Sequence, residues 1–457
     1  MRLTVIGGGF GRRACADRPG LRRPPLRART TAALAALLSL VVVPRMTAAA
    51  PPSEIDVCPS CPFSSLTVAV REAPAGSRIV VRGGIYHEHG ITVNKPLEIV
   101  GQGWPVIDGD HAGETITVTS DDVRIGGLVV QNSGSAFASD PAGIKVKNSR
   151  RCVIERNRLV NDFFAIYLAA SSECTVRDNE VRGDAVSEAL SGNAIHLWNC
   201  RNIVVQGNRV SGHRDGLYFE FLHDSTIVDN LSEHNLRYGM HTMFSADNSY
   251  RGNTLRYNSA GEVLMYSKRL VVSGNLIEHN WGEACDGALL KDLDESRIAH
   301  NLFIRNSVGL YAEDSNRNRI EENEFLNNGI AVRVMADSIG NSFAANSFEA
   351  NSFDVATNSL STSENNFDGN YWSDYRGYDL NGDGIGDVPY HPVSLFAVLI
   401  ENYPASVILL RSPFVRMLEA AETAIPVLTP KVLVDNRPLM WRPSWSRSAT
   451  SKSTSAR

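Results

Sequence analysis

Long apolar runs are scarce in this chain. The one that stands out, Ala32 to Val43, covers about twelve residues, too short to span a bilayer as a helix. A surplus of positive charge is also lacking, with 45 Lys and Arg against 50 Asp and Glu for a net charge of −5. That balance excludes a nucleic-acid partner, whose phosphates need basic residues. Cysteine is sparse, seven in 457 residues. No nucleotide motif is present, so ATP chemistry is not done here. Val5-Ile6-Gly7-Gly8-Gly9-Phe10-Gly11 has the glycines of a dinucleotide loop, but Arg and Pro follow where a helix would have to start. The acid–base phrases of secreted carbohydrate enzymes are missing as well. There is no Asn-Thr-Asp followed by paired Asp, and no Asp-Pro-His-Glu.

What is present begins with a leader. Residues 1–50 hold nine Arg and a single acid, Asp17, then the apolar run, then Thr47-Ala48-Ala49-Ala50. Basic, apolar and small residues in that order read as a secretory signal with an overlong basic region. Without it, residues 51–410 carry 28 basic and 46 acidic side chains, net −18, and the tail from Arg411 carries 8 and 3, net +5. An acidic body suits cations, and the basic tail suits a different partner, such as an anionic membrane face. Six cysteines follow the leader, Cys58, Cys61, Cys152, Cys174, Cys200 and Cys285. An even count in an exported chain permits disulfides.

The fold is set by a repeat. Short β-branched runs end in Asn at 157, 179, 208, 230, 253, 275, 301, 323 and 346. A second Asn series, 235, 258, 280, 306 and 328, runs beside it at the same step of about 22 residues. Several short strands per 22 residues make a coil of a right-handed parallel β-helix, in which recurring Asn stack at the turns and tolerate the left-handed conformation. Two longer steps place insertions near 183–192 and 282–287. Leucine-rich repeats are excluded, because their regular Leu spacing is absent. The expected organisation is a leader (1–50), an N-terminal cap segment (51–78), the β-helix (79–372), a C-terminal cap with an Asp/Gly-rich loop (373–410) and a docking tail (411–457). Phe63–Ala73 has helical spacing and would cover the first coil, since an open β-helix end is a sheet edge. Cys152 and Cys174 fall in one column with Ser225, Asn248, Ser296, Asn318 and Asn341. They read as stacked buried thiols, with an inter-coil disulfide as the alternative.

The Asn series also registers one exposed face. His196, Tyr218, His241 and Val263 align, and two residues on so do Trp198, Glu220, Met243 and Met265. Period-two alternation turns Tyr218, Glu220, His241 and Met243 outward; in the next coil the same alternation would send Glu262 inward. Thioether and imidazole are ligands for Cu(I), a soft ion, so Met243, Met265 and His241 are the leading candidates, with Glu220 and His196 behind them. Ordinary packing under a loop is the alternative for the methionines. Asp379, Asn381, Asp383 and Asp387 space their oxygens as a calcium loop does, but Tyr390 stands where an EF-hand has Glu. A cap loop rich in Asx turns is the alternative. Cys58-Pro59-Ser60-Cys61 reads first as a structural disulfide, with a redox pair or a soft-metal site as alternatives. Ser412-Pro413 starts a helix running to about Ala424, with an apolar face of Phe414, Val415, Met417 and Leu418 suited to a lid or to docking. The Ser/Arg-rich end, 441–457, predicts no fixed structure.

Three phrases go beyond fold. They are Asn370-Tyr371-Trp372-Ser373-Asp374-Tyr375 with the following Gly-Asp-Gly-Ile-Gly-Asp loop, Arg237-Tyr238-Gly239-Met240-His241-Thr242-Met243-Phe244-Ser245 with Met265-Tyr266-Ser267, and Asp435-Asn436-Arg437-Pro438-Leu439-Met440. Together they resemble the NosD family over roughly residues 63–440. The resemblance implies a non-enzymatic periplasmic subunit at the inner membrane, attached to an ABC transporter whose ATPase hydrolyses the ATP. It implies that copper is received from a lipoprotein chaperone and used to assemble the copper sites of nitrous oxide reductase. It places His241, Met243 and Met265 inside the family's phrases. Thr242 departs from the aromatic expected there, and the Cys58–Cys61 pair is outside the resemblance. The alternative function is a secreted β-helix that acts on or binds polysaccharide, as a lyase, hydrolase or epimerase. A purely structural adhesin is a third.

Overall fold

The computed structural model describes residues 53–135, 140–281, 286–359, 361, 364–409, 412–425 and 429–444. The leader, Cys285, most of the second insertion and residues 445–457 lie outside these. Among the described residues the strands form three parallel sheets of 14, 13 and 12 members, each pairing a strand with its counterpart one coil away. This is the expected β-helix. The 22-residue period returns each short apolar run to the same face, one strand spacing of about 4.8 Å further on. Inward residues such as Ile125, Ile154, Val176, Val205 and Ile227 make a column in the first sheet and are fully buried. Near the C-terminal end the column of the second sheet becomes aromatic. Phe303, Phe325, Phe348 and Trp372 stack there at 4.8, 5.0 and 4.2 Å.

The Asn series holds the turns. Asn157 donates its backbone N–H to Asn179 Oδ1 at 3.0 Å, and its amide Nδ2 donates to the same oxygen at 3.1 Å. The pattern repeats through Asn253 to Asn346 and reaches Asn370. Each such buried pair is worth about 1 kcal/mol and would cost more if left unmade. One expectation is corrected. The Asn themselves do not take the left-handed conformation. The residue before each does, including Asp178 (φ 54°), Asp229 (φ 54°) and His300 (φ 56°). The turn bends one residue earlier, and this frees the Asn side chain to point inward. Glycine is required beside the second series, since a Cβ on Gly239 would stand 2.7 Å from the Asn258 amide.

The ends differ from the expected boundaries. A strand at Glu54–Val57 already pairs with Arg78–Arg82, so the first sheet begins inside the segment assigned to the cap. Helix α1 (Leu66–Glu72) covers this end, capped by Ser65 and held by Glu88, which accepts from the Leu66 and Thr67 N–H groups. The first insertion carries a short 3-10 turn at Glu188–Leu190. At the far end α2 (Leu395–Asn402) and α3 (Pro413–Ala424) pack together, with Phe396 against Phe353. The tail does not simply leave the body. Val432 and Leu433 are buried, and Asp435 lies under the last coil. Its carboxylate accepts from Asn370 N–H, Asn370 Nδ2 and Trp372 Nε1 at 2.9–3.0 Å and so closes the first Asn series. Arg442, placed by composition in the unstructured end, forms ion pairs with Glu324 and Glu349. Cys152 and Cys174 are free buried thiols, joined by an N–H···S contact of 3.2 Å rather than a disulfide. Cys58 and Cys61 are disulfide-bonded. No described helix is long and apolar enough to cross a membrane.

Candidate functional site

Three outward columns run up the third sheet. The register of the first is Tyr167, His196, Tyr218, His241, Val263, and of the second Ala169, Trp198, Glu220, Met243, Met265. This is the alignment expected from the Asn spacing. The third column is Phe221 and Phe244, each just after its strand, and Tyr266 within the longer strand Ala260–Lys268, all three in the left-handed conformation. Their rings stack at 5.3 and 5.0 Å and are 39%, 41% and 42% exposed. Met243 and Met265 therefore stand on adjacent coils between an exposed aromatic column and a covered one. Inside the coil, Thr242 donates to Tyr250 Oη at 3.1 Å. Glu262 points inward as expected, with neither carboxylate oxygen hydrogen-bonded.

The covered column is tightly stacked. Tyr167 and His196 are 4.6 Å apart, His196 and Tyr218 4.6 Å, and Tyr218 and His241 4.9 Å. Burial pushes His196 down to about 3, assisted by the positive charge of Arg214, so its ring is neutral in any physiological medium. Burial pushes the Tyr218 phenol up to about 12, keeping it protonated. Its Oη lies 3.4 Å from a Glu220 oxygen and 3.7 Å from Met243 Sδ, which ties the phenol to both members of the middle column.

His241 corrects the sequence reading in one respect. Its ring leaves the sheet on the outward side, yet only 3% of the residue is exposed. Tyr238 packs edge-on at 4.9 Å, and the Arg237 guanidinium lies over the Tyr238 ring at 4.3 Å. Beneath them Asp215 is fully buried. Its Oδ2 is 3.6 Å from His241 Nδ1 and its Oδ1 is 3.4 Å from Arg237 Nε. Arg237 Nη2 lies 3.3 Å from the same imidazole nitrogen. The other ring nitrogen, Nε2 of His241, is buried with no partner among the described residues, as is Nε2 of His196. Two imidazole nitrogens thus stand without hydrogen bonds on the face that carries the thioethers. Burying such atoms unpaired is costly, and a soft cation would satisfy them.

Asp215, Arg214, Arg237 and Tyr238 were not singled out from sequence. Arg237 stands two residues after Asn235, and Arg214 stands 23 residues before Arg237, one step of the repeat; that shared phase was the available signal. The other candidates fall elsewhere. Asp379, Asn381, Asp383 and Asp387 stay together near the C-terminal cap. Asp379 accepts from Gly382 and Gly384 N–H, Asp383 from Ile385 N–H and Asp387 from Leu380 N–H. Those backbone bonds, that to Gly384 first, hold the Asp379 carboxyl below its ordinary range. On α3, Val415 is buried with Phe396 and Ile400, and Leu418 packs on the same cluster. Val415 is therefore withdrawn from docking, while Leu418 is partly covered. Phe414 and Met417 are 51% and 72% exposed.

A family model described as "Periplasmic copper-binding protein (NosD)" matches residues 180–377, which include this face. A protein of Pseudomonas aeruginosa, "Probable ABC transporter binding protein NosD", is 32% identical over 367 residues, 77% of this chain and 86% of that protein. Its namesake from Stutzerimonas stutzeri is 29% identical over 369 residues, covering 77% and 84%. Among solved structures, PfbA, a surface adhesin of Streptococcus pneumoniae, superposes with a TM-score of 0.51 at 11% identity, covering 70% of this chain and 91% of that one. That likeness concerns the fold.

Proposed function

The chain belongs to the NosD family, and on that footing we propose that it is a periplasmic copper-binding maturation factor that carries Cu(I) on its third sheet. The single observation behind this is the placement of Met243 and Met265 on adjacent coils beside the unpartnered His241 Nε2. Thioethers hold Cu(I) without a competing proton and cannot oxidise to a disulfide, and imidazole nitrogen is a further ligand for the ion. Two or three neutral ligands bind the ion loosely enough to pass it on. Tyr238 and Arg237 cover His241, so taking up the ion requires those two side chains to swing aside. Glu220 and His196, one and two coils further down, would line the route rather than complete the site. The ion would come from a lipoprotein chaperone and go to nitrous oxide reductase. Phe414 and Met417 on α3 would dock the membrane subunits of an ABC transporter whose ATPase does the energetic work. Calcium is left out of this reading, because the Asp379–Asp387 loop is closed by its own hydrogen bonds.

The test is Cu(I) affinity by competition with a chromogenic chelator under anaerobic conditions. Met243→Ala/Met265→Ala should weaken binding at least tenfold, and His241→Ala should weaken it severalfold. Parent-like affinity in the methionine variant would remove the copper face. The exposed ring column Phe221, Phe244 and Tyr266 supports a second reading, a platform for sugar faces. Retention on an acidic-polysaccharide gel that Phe221→Ala/Phe244→Ala abolishes would favour that reading.

A further inference from the structure

Cys58-Pro59-Ser60-Cys61 lies on a surface turn between the strand Glu54–Val57 and α1. Both cysteines are partly exposed, whereas Cys152, Cys174 and Cys200 are buried. The turn has supports that do not involve sulfur. Cys58 N–H donates to Phe63 O at 3.0 Å, Cys61 N–H donates to Cys58 O at 3.1 Å, and Val57 bridges to Phe63. A disulfide closing so short a loop removes little unfolded-chain entropy, and these bonds already fix the turn. Its structural contribution is therefore small, and its accessibility points to chemistry. With Cα atoms 5.0 Å apart on one turn, the two sulfurs can open to about 4.6 Å. That is twice a metal–sulfur bond of about 2.3 Å, as a two-coordinate ion requires. Ser60 Oγ sits 3.4 Å from Cys58 Sγ, placed to donate to a thiolate there.

We propose that Cys58 and Cys61 form a redox-gated Cu(I) site, closed as the disulfide and opened by a dithiol reductant. A thiolate of the reductant attacks one sulfur, the Cys58–Cys61 bond breaks, and the mixed disulfide resolves to the reductant's own disulfide. Two electrons and two protons pass to the pair. One Cu(I) then forms two S–Cu bonds and releases both thiol protons, leaving the metal's oxidation state unchanged. Reoxidation by an acceptor disulfide takes two electrons in total from the two thiolates: the S–Cu bonds break, the Cys58–Cys61 bond re-forms, Cu(I) is released, and the acceptor leaves as a dithiol with two protons from solvent. Soft thiolates select Cu(I) over the harder cations of the same compartment. The inference rests on the copper reading only for the identity of the ion this chain meets. The two sites are separate in space, since seven strand steps lie between the coil of Cys58 and that of Met243, roughly 30 Å at about 4.8 Å each.

The experiment measures Cu(I) bound per chain in oxidised protein and in protein reduced anaerobically and freed of reductant. Parent, Cys58→Ser/Cys61→Ser and Met243→Ala/Met265→Ala are compared, with circular dichroism checking each fold. The expected result is one additional Cu(I) on reduction of the parent, absent from the cysteine variant and retained by the methionine variant. The absorption edge of the added ion should report two sulfur neighbours. Equal stoichiometry in both redox states overturns the proposal. So does an increment that survives Cys58→Ser/Cys61→Ser, because it would belong to the buried thiols. Failure of the copper face reads differently, as unchanged affinity of the oxidised methionine variant.

Discussion

Glu262 has no hydrogen bond to either carboxylate oxygen, and burial pushes it up to about 8. The free side chain titrates near 4.5. Between these values the folded chain keeps the proton that the unfolded chain releases, so stability falls as pH rises through this window. The loss is complete above about pH 8. Glu262→Gln should remove that slope and raise stability at pH 8 by about 1–3 kcal/mol, read as a higher urea midpoint. An identical pH slope in parent and variant would contradict the argument. The inward position of Glu262 follows from alternation alone. Its lack of a partner does not, because it depends on Met240 and Ala288 on the coils above and below offering no polar atom. The same holds for His241, whose outward direction is readable by counting residues. Its cover comes from Arg237 and Tyr238, at the start of its own strand, and from Asp215 on the neighbouring coil, and depends on how those side chains pack.

The Asn series is the element that sequence shows most openly, since each position recurs at a fixed step. Where it stops is a tertiary matter. Asp435 lies 65 residues after Asn370 in the chain, yet it supplies the acceptor the last coil needs. Asp435→Ala would leave Asn370 N–H, Asn370 Nδ2 and Trp372 Nε1 without that acceptor. The expected cost is about 2–4 kcal/mol, confined to the C-terminal end and seen as faster amide exchange across 366–372. Uniform exchange with the parent would show the cap to be redundant. Helix α3 was likewise legible in its Ser412-Pro413 start. Which of its apolar residues are free was not, because α2 takes Val415 and Leu418.

On the scale of the described coil stack, the proposed sites are spaced along its length. The cysteine turn is at one end, the thioether face near the middle, and α2 and α3 at the other end. Phe414→Asp/Met417→Asp should abolish co-purification with the transporter's membrane subunits while leaving Cu(I) affinity unchanged. These two side chains are exposed and make no part of the sheet. Undiminished co-purification would move the docking surface elsewhere.

The sequence by itself determined the period, the parallel β-helix, the register of the methionine and histidine columns, and family membership through its phrases. All of these depend on residue identity at fixed spacing, which a linear chain carries in full. Only the tertiary structure decided that His241 is covered, that Val415 is buried with Leu418 packed beside it, and that Asp435 closes the Asn series. The last two depend on the returning tail, where the repeat is broken and spacing no longer measures distance, and the first depends on how side chains of its own strand and the adjacent coil pack, which spacing does not encode.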